Sequence, residues 1–183
     1  SLDALTSGDY NAALGYGSLS GVTEGLRNIG IGAYAGTAIT TGDYNVAVGL
    51  ASLYTVTTAD ANTAIGYHSG NKTTGANNTF IGYRSGYENI GGAYNITLGA
   101  NSGDNLTTGD GNVIIGGINA GSATGDNQLI IADGTDGSVK WIDGDSSGNV
   151  TMPADLTIGD DFNMTTDSSV INFGADSDTT LTH

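Results

Sequence analysis

Short apolar segments recur along this chain at nearly constant intervals, each preceded by an Asn and followed by a Gly. In the segment NVAVG the Asn is Asn45, and equivalent positions follow one another at intervals of 16 or 17 residues. These positions, called markers below, are Asn11, Asn28, Asn45, Asn62, Asn78, Asn95, Asn112 and Gln128. A fixed period of this kind is typical of solenoids, in which each copy forms one layer of a stack.

Within each copy, aliphatic residues alternate with small ones. Val46 and Val48 are two positions apart, so they share one face of a strand, and we expect this face to point into the core. The residue between them, Ala47, is small and would allow a neighbouring layer to approach closely. Larger residues occupy the middle position in three copies, as Phe80, Ile114 and Ile130.

Glycines bracket these segments, three residues before the marker and four residues after it. We expect them to supply the positive φ values that tight turns require. Seven residues after the marker stand small polar or small apolar residues, Ser18, Ala35, Ser52, Ser69, Ser85, Ser102 and Asn119. This second half of the unit is predicted to form a further short strand or a turn.

The period therefore predicts an all-β fold for residues 1–132, a parallel β-solenoid or β-roll of about eight turns of 16–17 residues. Such a unit is too short for the helical hairpins of longer repeats. The seven marker asparagines are predicted to form a structural ladder in which each side-chain amide bonds to the layers above and below, as stacked polar residues do elsewhere.

Residues 133–183 follow a different pattern. The period ends, and short alternating pieces such as SVKWI, NVTM, DLTIG, DFNM and VINFG are separated by Gly, Asp and Ser. They predict a series of brief strands. With so few large apolar residues per strand, this segment can scarcely build a core of its own, and three chains intertwined around one axis would supply one. The segment also resembles the shafts and necks of bacteriophage fibres, which implies the same role here.

The amino-acid composition argues against several classes of function for this protein. The chain has no Cys, which excludes disulfides and thiolate metal sites. Its formal net charge is −15, with only four Lys and Arg, so we predict no binding to nucleic acid or to anionic membrane surfaces. No apolar run approaches the roughly 18 residues that a membrane-spanning helix needs, and we predict no membrane insertion.

No catalytic, cofactor or metal site is predicted, and we expect the protein not to be an enzyme. A calcium site is conceivable where stacked carboxylates precede their markers by two residues, at Asp9, Asp43, Asp60, Asp110 and Asp126. However, Leu26, Ala76 and Ala93 interrupt this column, and Asp beside Gly in a turn usually bonds its own backbone. His68 is isolated in the sequence. No nucleophile motif of the G-x-S-x-G kind is present.

Tyrosines near the turns are the candidate receptor contacts. Tyr16, Tyr67 and Tyr83 follow the turn glycine directly, and His68, Arg84 and Tyr87 stand close to them in sequence. Such side chains can stack on sugar rings while their polar ends form hydrogen bonds. The competing interpretation is a Tyr column that packs on itself or on a neighbouring chain.

The repeats resemble those of known surface fibres. NVAVGLAS and NTAIGYHS are similar to the head repeats of trimeric autotransporter adhesins, and TTGDYN followed by VGLAS resembles repeats of bacteriophage tail-fibre and appendage proteins. The resemblance covers residues 7–132. It implies a left-handed parallel β-roll and a homotrimer. It also implies a place in the virion, with other fibre or tail proteins and host cell-surface polysaccharide as partners.

Three alternatives stay open. The first is the head of a bacterial trimeric adhesin on the cell surface. The second is an ice-binding solenoid, suggested by the recurring Thr41, Thr58, Thr74 and Thr108. The third is a spike that degrades polysaccharide. The chain starts without Met and its text is expected to continue past TLTH, so we expect it to be a piece of a longer fibre.

Overall fold

The computed structural model describes residues 1–153, and this part of the chain is all-β with no helix. It therefore holds no helix that could cross a membrane. Ten strands form one sheet in sequence order. The strands are β1 (Ala12–Leu14), β2 (Ile29–Ile31), β3 (Val46–Val48), β4 (Thr63–Ile65), β5 (Thr79–Ile81), β6 (Ile96–Leu98), β7 (Val113–Ile115), β8 (Leu129–Ala132), β9 (Lys140–Gly144) and β10 (Val150–Thr151).

The predicted parallel β-solenoid is confirmed. Strands β1 to β8 are paired in parallel, and each lies beside the strand of the next copy in the same register, with Val46 opposite Thr63 and Val48 opposite Ile65. Each turn contains one strand only. The second half of each copy consists of turns, whose backbones still bond from layer to layer, as in the 2.9 Å bond from the Gly36 N–H to the Ser52 carbonyl.

Each strand buries the face that we expected to be exposed, and exposes the face that we expected to be buried. The middle residue, such as Ala47 or Phe80, is buried in the solenoid, whereas the flanking aliphatic residues lie on the outer face. Ile29 and Ile31 remain 38% and 42% exposed. The prediction that the alternating aliphatic pairs point into the core is therefore wrong. The middle residues pack in the interior against buried apolar residues of the turns, among them Leu53.

Two apolar clusters form the interior. The first extends from Leu19 to Phe80 and the second from Leu106 to Ile130. Phe80 is the largest buried side chain, and its ring occupies the space that Gly70 and Gly86 leave free on the opposite side of the turn. A side chain at either glycine would collide with this ring.

The marker asparagines form a continuous buried ladder. The side-chain oxygen of each Asn accepts the backbone N–H of the next marker at 2.8–3.0 Å, from Asn11 through Asn112 to Gln128. In several layers the Asn amide also donates to the oxygen of the preceding Asn, as Asn62 does to Asn45 at 3.2 Å. Other amide donors bond to backbone carbonyls, such as that of Gly42. The ladder thus joins side chains to backbone as well as to one another.

The aspartates two residues before the markers also connect the layers. Asp43 accepts the backbone N–H of Leu26 at 2.7 Å, and Asp60 accepts that of Asp43 at 2.8 Å. Asp110 and Asp126 form the equivalent bonds in later layers. These carboxylates therefore have a structural role, as hydrogen-bond acceptors at the turns.

The bracketing glycines are required for different reasons at the two positions. Four residues after the marker φ is positive, as at Gly49 with φ of 124°, which agrees with our expectation. Three residues before the marker φ is not in that region, and the expectation is wrong there. At Gly42 the backbone of the next layer comes so close that a Cβ atom would collide with the carbonyl of Ala59. Left-handed φ values instead occur at non-glycine residues, including Tyr44 at 59°.

The parallel stack ends at β8. The chain then reverses, so that β9 pairs with β8 and β10 pairs with β9, both antiparallel. The pieces SVKWI and NVTM contribute to these two strands, whereas DLTIG, DFNM and VINFG lie outside the described residues. The proposed intertwining of three chains in this segment stays a prediction.

Asp133 organises the reversal between β8 and β9. Its carboxylate accepts the backbone N–H groups of Thr135, Asp136, Gly137 and Val139, and these bonds, with that of Val139 the strongest, lower its pKa from 3.8 to about 2. A carboxyl whose pKa is depressed on folding stabilises the fold above its unfolded pKa. This stabilisation is lost as pH falls through the folded value.

Replacing Asp133 with Asn should therefore remove part of the pH dependence of stability between about pH 4 and pH 2, because the depressed pKa of Asp133 lies in this range. Melting temperatures of the parent and the variant, measured across this range, test the prediction. Glu24→Gln is the control, since it removes an exposed carboxylate that forms no hydrogen bond within residues 1–153. Parallel profiles for the parent and Asp133→Asn would contradict the role of this carboxylate.

Thr73 carries the one fully buried side-chain oxygen without a hydrogen bond in the described part of the chain. It stands in a buried column that holds Val22, Ile39, Val56 and Leu106 in other turns. Thr73→Val should raise the free energy of unfolding by about 1–2 kcal/mol, because the unpaired hydroxyl is removed without loss of volume. Denaturant unfolding measures the change. The control Thr97→Val should lower stability, since the Thr97 hydroxyl bonds to Ser85.

Candidate functional site

The largest aromatic cluster lies on the fourth and fifth turns, where it joins five of the six predicted receptor contacts. The rings of Tyr67 and His68 stack with centroids 4.2 Å apart, and Tyr67 also stacks on Tyr83 at 5.4 Å. His68 stacks on Tyr87 at 5.9 Å, and the Arg84 guanidinium lies 4.2 Å from the centre of the Tyr87 ring. We call Tyr67, His68, Tyr83, Arg84 and Tyr87 the aromatic cluster.

The solenoid brings these residues together because equivalent positions of consecutive turns stack. Tyr67 and Tyr83 both stand five residues after their markers, and His68 and Arg84 both stand six residues after them. Adjacent strands are ~4.8 Å apart, which is a suitable spacing for stacked rings. His68 and Arg84 have left-handed φ values of 54° and 52°, so the chain turns a corner at this place.

Acidic neighbours balance the cations of this cluster. Arg84 pairs with Asp104 at 3.2 Å, and Lys72, which lies 5.1 Å from the Tyr87 ring centre, pairs with Glu88 at 2.7 Å. The hydrogen bond that Lys72 donates to the Glu88 carboxylate raises the pKa of Lys72. Burial, with a further contribution from Arg84, lowers the pKa of His68. The imidazole is therefore held towards its neutral form, in which it can both donate and accept hydrogen bonds.

Tyr16 does not belong to the aromatic cluster. It lies three turns away and meets Tyr34 edge to face at 5.3 Å, and Tyr34 in turn meets Tyr54 at 6.5 Å. The six predicted contacts are thus divided between two regions of the surface. Sequence reasoning did not identify Tyr34 and Tyr54, because they stand at different positions of the repeat.

A second aromatic group contains a cation that the sequence analysis did not single out. Arg27 lies between Tyr10 and Tyr44, 5.4 Å and 5.3 Å from their ring centres, and donates a hydrogen bond to the Tyr44 hydroxyl at 3.0 Å. All three residues immediately precede their markers. Their shared repeat position could have identified this group from the sequence, because residues at the same position of consecutive turns contact each other in a solenoid.

The cluster offers chemistry suited to a polyhydroxylated ligand. Tyr67 and Tyr83 are 46% and 51% exposed, and their hydroxyls bond to no other residue in the described part of the chain. Ring stacking fixes the side chains before any ligand arrives, which lowers the entropic cost of binding. Some ring area is used in these internal stacks, so phenol and guanidinium hydrogen bonds are the main contacts available.

An open cleft of about 430 Å³ lies between residues 122–128 and the β9–β10 hairpin. Asp126, Asp143 and Asp145 are among its lining residues, but Lys140 pairs with Asp143 at 2.7 Å and Asn149 bonds to Asp145. Within residues 1–153, no group of three or more acidic or His side chains is arranged to hold a metal ion.

Comparisons with protein-family models, with curated proteins and with solved structures found no match to this chain.

Proposed function

We propose that this chain is a segment of a homotrimeric bacteriophage fibre, a stiff spacer in the virion that also contributes to attachment to the host surface. One observation carries the proposal, namely the outward row of aliphatic side chains along β1 to β8, called the aliphatic face. It comprises the residues one and three positions after each marker, which are all apolar except Thr63 and Thr79. Leu14, Ile31 and Leu98 on this face are 69%, 42% and 43% exposed in the single chain.

A continuous apolar surface of this length favours assembly. Monomeric soluble proteins rarely expose contiguous apolar patches larger than a few hundred Å². The aliphatic face extends along the whole stack, and a second copy of the same row matches it in length and in spacing. Three copies that share their faces along one axis would remove these side chains from water. We propose three chains per assembly because the repeats resemble those of trimeric adhesin heads.

The bonding between layers supports a spacer role. Backbone hydrogen bonds join consecutive turns on the strand side and on the turn side. The Asn ladder adds buried bonds, and threonine hydroxyls such as those of Thr40 and Thr107 bond to carbonyls of the next layer. A segment whose backbone is paired in this way resists bending and offers few sites to proteases.

Attachment to host polysaccharide is the second part of the proposal. The aromatic cluster presents phenol hydroxyls, an imidazole and a guanidinium on one corner of the solenoid. A single cluster of this kind binds saccharide weakly. Three copies on one fibre, and many fibres on one particle, would multiply this weak contact through avidity.

The head of a bacterial trimeric adhesin is the alternative, and the same aliphatic face favours it. The two functions differ in what surrounds this segment in the full-length protein. A coiled coil followed by a membrane anchor would identify the adhesin, whereas neighbouring virion genes would identify the fibre.

Light scattering coupled to size exclusion tests the assembly. We expect a mass three times that of one chain. A stable monomer at micromolar concentration would contradict the proposal. Attachment is tested separately by binding of the trimer to host cells with and without their surface polysaccharide. Binding that survives removal of the polysaccharide would contradict the saccharide part alone.

A further inference from the structure

Two columns of exposed or half-buried residues border the aliphatic face, one on each side of the strands. The leading edge consists of the residues immediately before the markers. Its members in turns one to seven are Tyr10, Arg27, Tyr44, Ala61, Asn77, Tyr94 and Gly111. The trailing edge consists of the residues five positions after the markers. Its members in the same order are Tyr16, Ala33, Leu50, Tyr67, Tyr83, Ala100 and Gly117.

The two edges are complementary in size, turn by turn. In turns two to six, only one edge carries Arg or Tyr, and the other carries a smaller residue. The pairs are Arg27 with Ala33, Tyr44 with Leu50, Ala61 with Tyr67, Asn77 with Tyr83, and Tyr94 with Ala100. Turn one has Tyr on both edges, and turn seven has Gly on both.

Contacts within one chain do not explain this complementarity. The two edge residues of a turn stand six positions apart on opposite sides of the strand, which separates them by up to about 20 Å. The contacts that the edges make within the chain run along a column instead, as between Tyr67 and Tyr83 or between Arg27 and Tyr44. A surface that contacts both edges of the same turn must therefore belong to another molecule.

We propose that the copies pack in parallel and in register, so that the leading edge of one copy meets the trailing edge of its neighbour at the same turn. This inference rests on the proposed assembly through the aliphatic face. Rotation about an axis parallel to the rod brings opposite edges together, and each seam then holds one large side chain per turn from two to six. Antiparallel packing would instead join like edges.

The seam changes the assignment of the aromatic cluster. Tyr67 and Tyr83 belong to the trailing edge, so they pack against the leading edge of the neighbouring copy. His68, Arg84 and Tyr87 lie beyond the edge and stay available to a ligand. Tyr67 and Tyr83 thus follow the competing interpretation, in which the tyrosines pack against a neighbouring chain.

Exchanging the large residue of turn six between the two edges tests the seam. Tyr94 is the best choice, since it takes part in no ring stack within residues 1–153. Tyr94→Ala leaves the turn without a large side chain, and Ala100→Tyr gives it two. We expect each single variant to raise the subunit dissociation constant, and the double variant to recover most of the loss. Sedimentation across a dilution series measures these constants.

A mismatched pair provides the control. Tyr94→Ala combined with Ala33→Tyr moves the large residue to a different turn. The effects of these two substitutions on the subunit dissociation constant should add, with no recovery. Sites about 20 Å apart in one chain couple little, so recovery in the matched pair alone reports contact between copies. Equal behaviour of the matched and mismatched pairs in a chain that still forms trimers would overturn the seam and leave the proposed function standing. A monomeric parent would instead overturn the proposed function, and the seam with it.

Discussion

Asn62→Ala should lower the free energy of unfolding by about 2–4 kcal/mol, which is large for one polar side chain. Asn62 is fully buried, and its side-chain oxygen accepts the Asn78 backbone N–H at 3.0 Å and the Asn78 amide at 3.1 Å. Removal of the side chain leaves that backbone donor buried without a partner and opens a small cavity. Equilibrium unfolding in guanidinium chloride measures the loss.

Asn119→Ala is the matched control for this prediction. Asn119 is exposed, and its side chain forms no hydrogen bond in the described part of the chain. The control should change stability by less than about 0.5 kcal/mol. Similar effects of the two substitutions would show that the ladder contributes no more than a surface amide.

If the parent forms the proposed trimer, Ile65→Lys should convert it to monomer at concentrations at which the parent is fully assembled. Ile65 is 41% exposed on the aliphatic face, between Val48 and Ile81 of the adjacent strands. In a single chain the ammonium group would reach solvent, so the fold should persist. In the assembly three charged groups would be taken out of water close to one another, which costs several kcal/mol per ion without a counter-charge.

Light scattering and circular dichroism of the same sample separate assembly from folding in this test. Thr58→Lys is the control, because Thr58 is exposed at a turn and lies off the aliphatic face. This control variant should remain trimeric. A trimer of undiminished stability carrying Ile65→Lys would exclude the aliphatic face as the interface.

Much of the fold could be predicted from the column pattern alone. The interval of 16 or 17 residues identified the layers, and the markers identified positions that stack. The aromatic cluster followed in part from this pattern, because Tyr67 and Tyr83 share one repeat position. The same signal was available for Arg27, whose contacts Tyr10 and Tyr44 share its repeat position. The contact between Tyr34 and Tyr54 needed coordinates, because the two residues stand at different positions of the repeat.

The sequence by itself determined the period, the class of fold and the residues that share each column. It did so because equivalent positions of consecutive copies stack and form hydrogen bonds with each other. It did not determine which face of the strand is inside. Alternation of Val46, Ala47 and Val48 is consistent with either orientation, and the usual expectation favours the larger residues inside. Only the tertiary structure showed that Ala47 is buried. The physical reason is that apolar residues of the turns, such as Leu53, occupy the interior opposite the strand, so a strand such as Val46–Val48 contributes only its middle residue to the core.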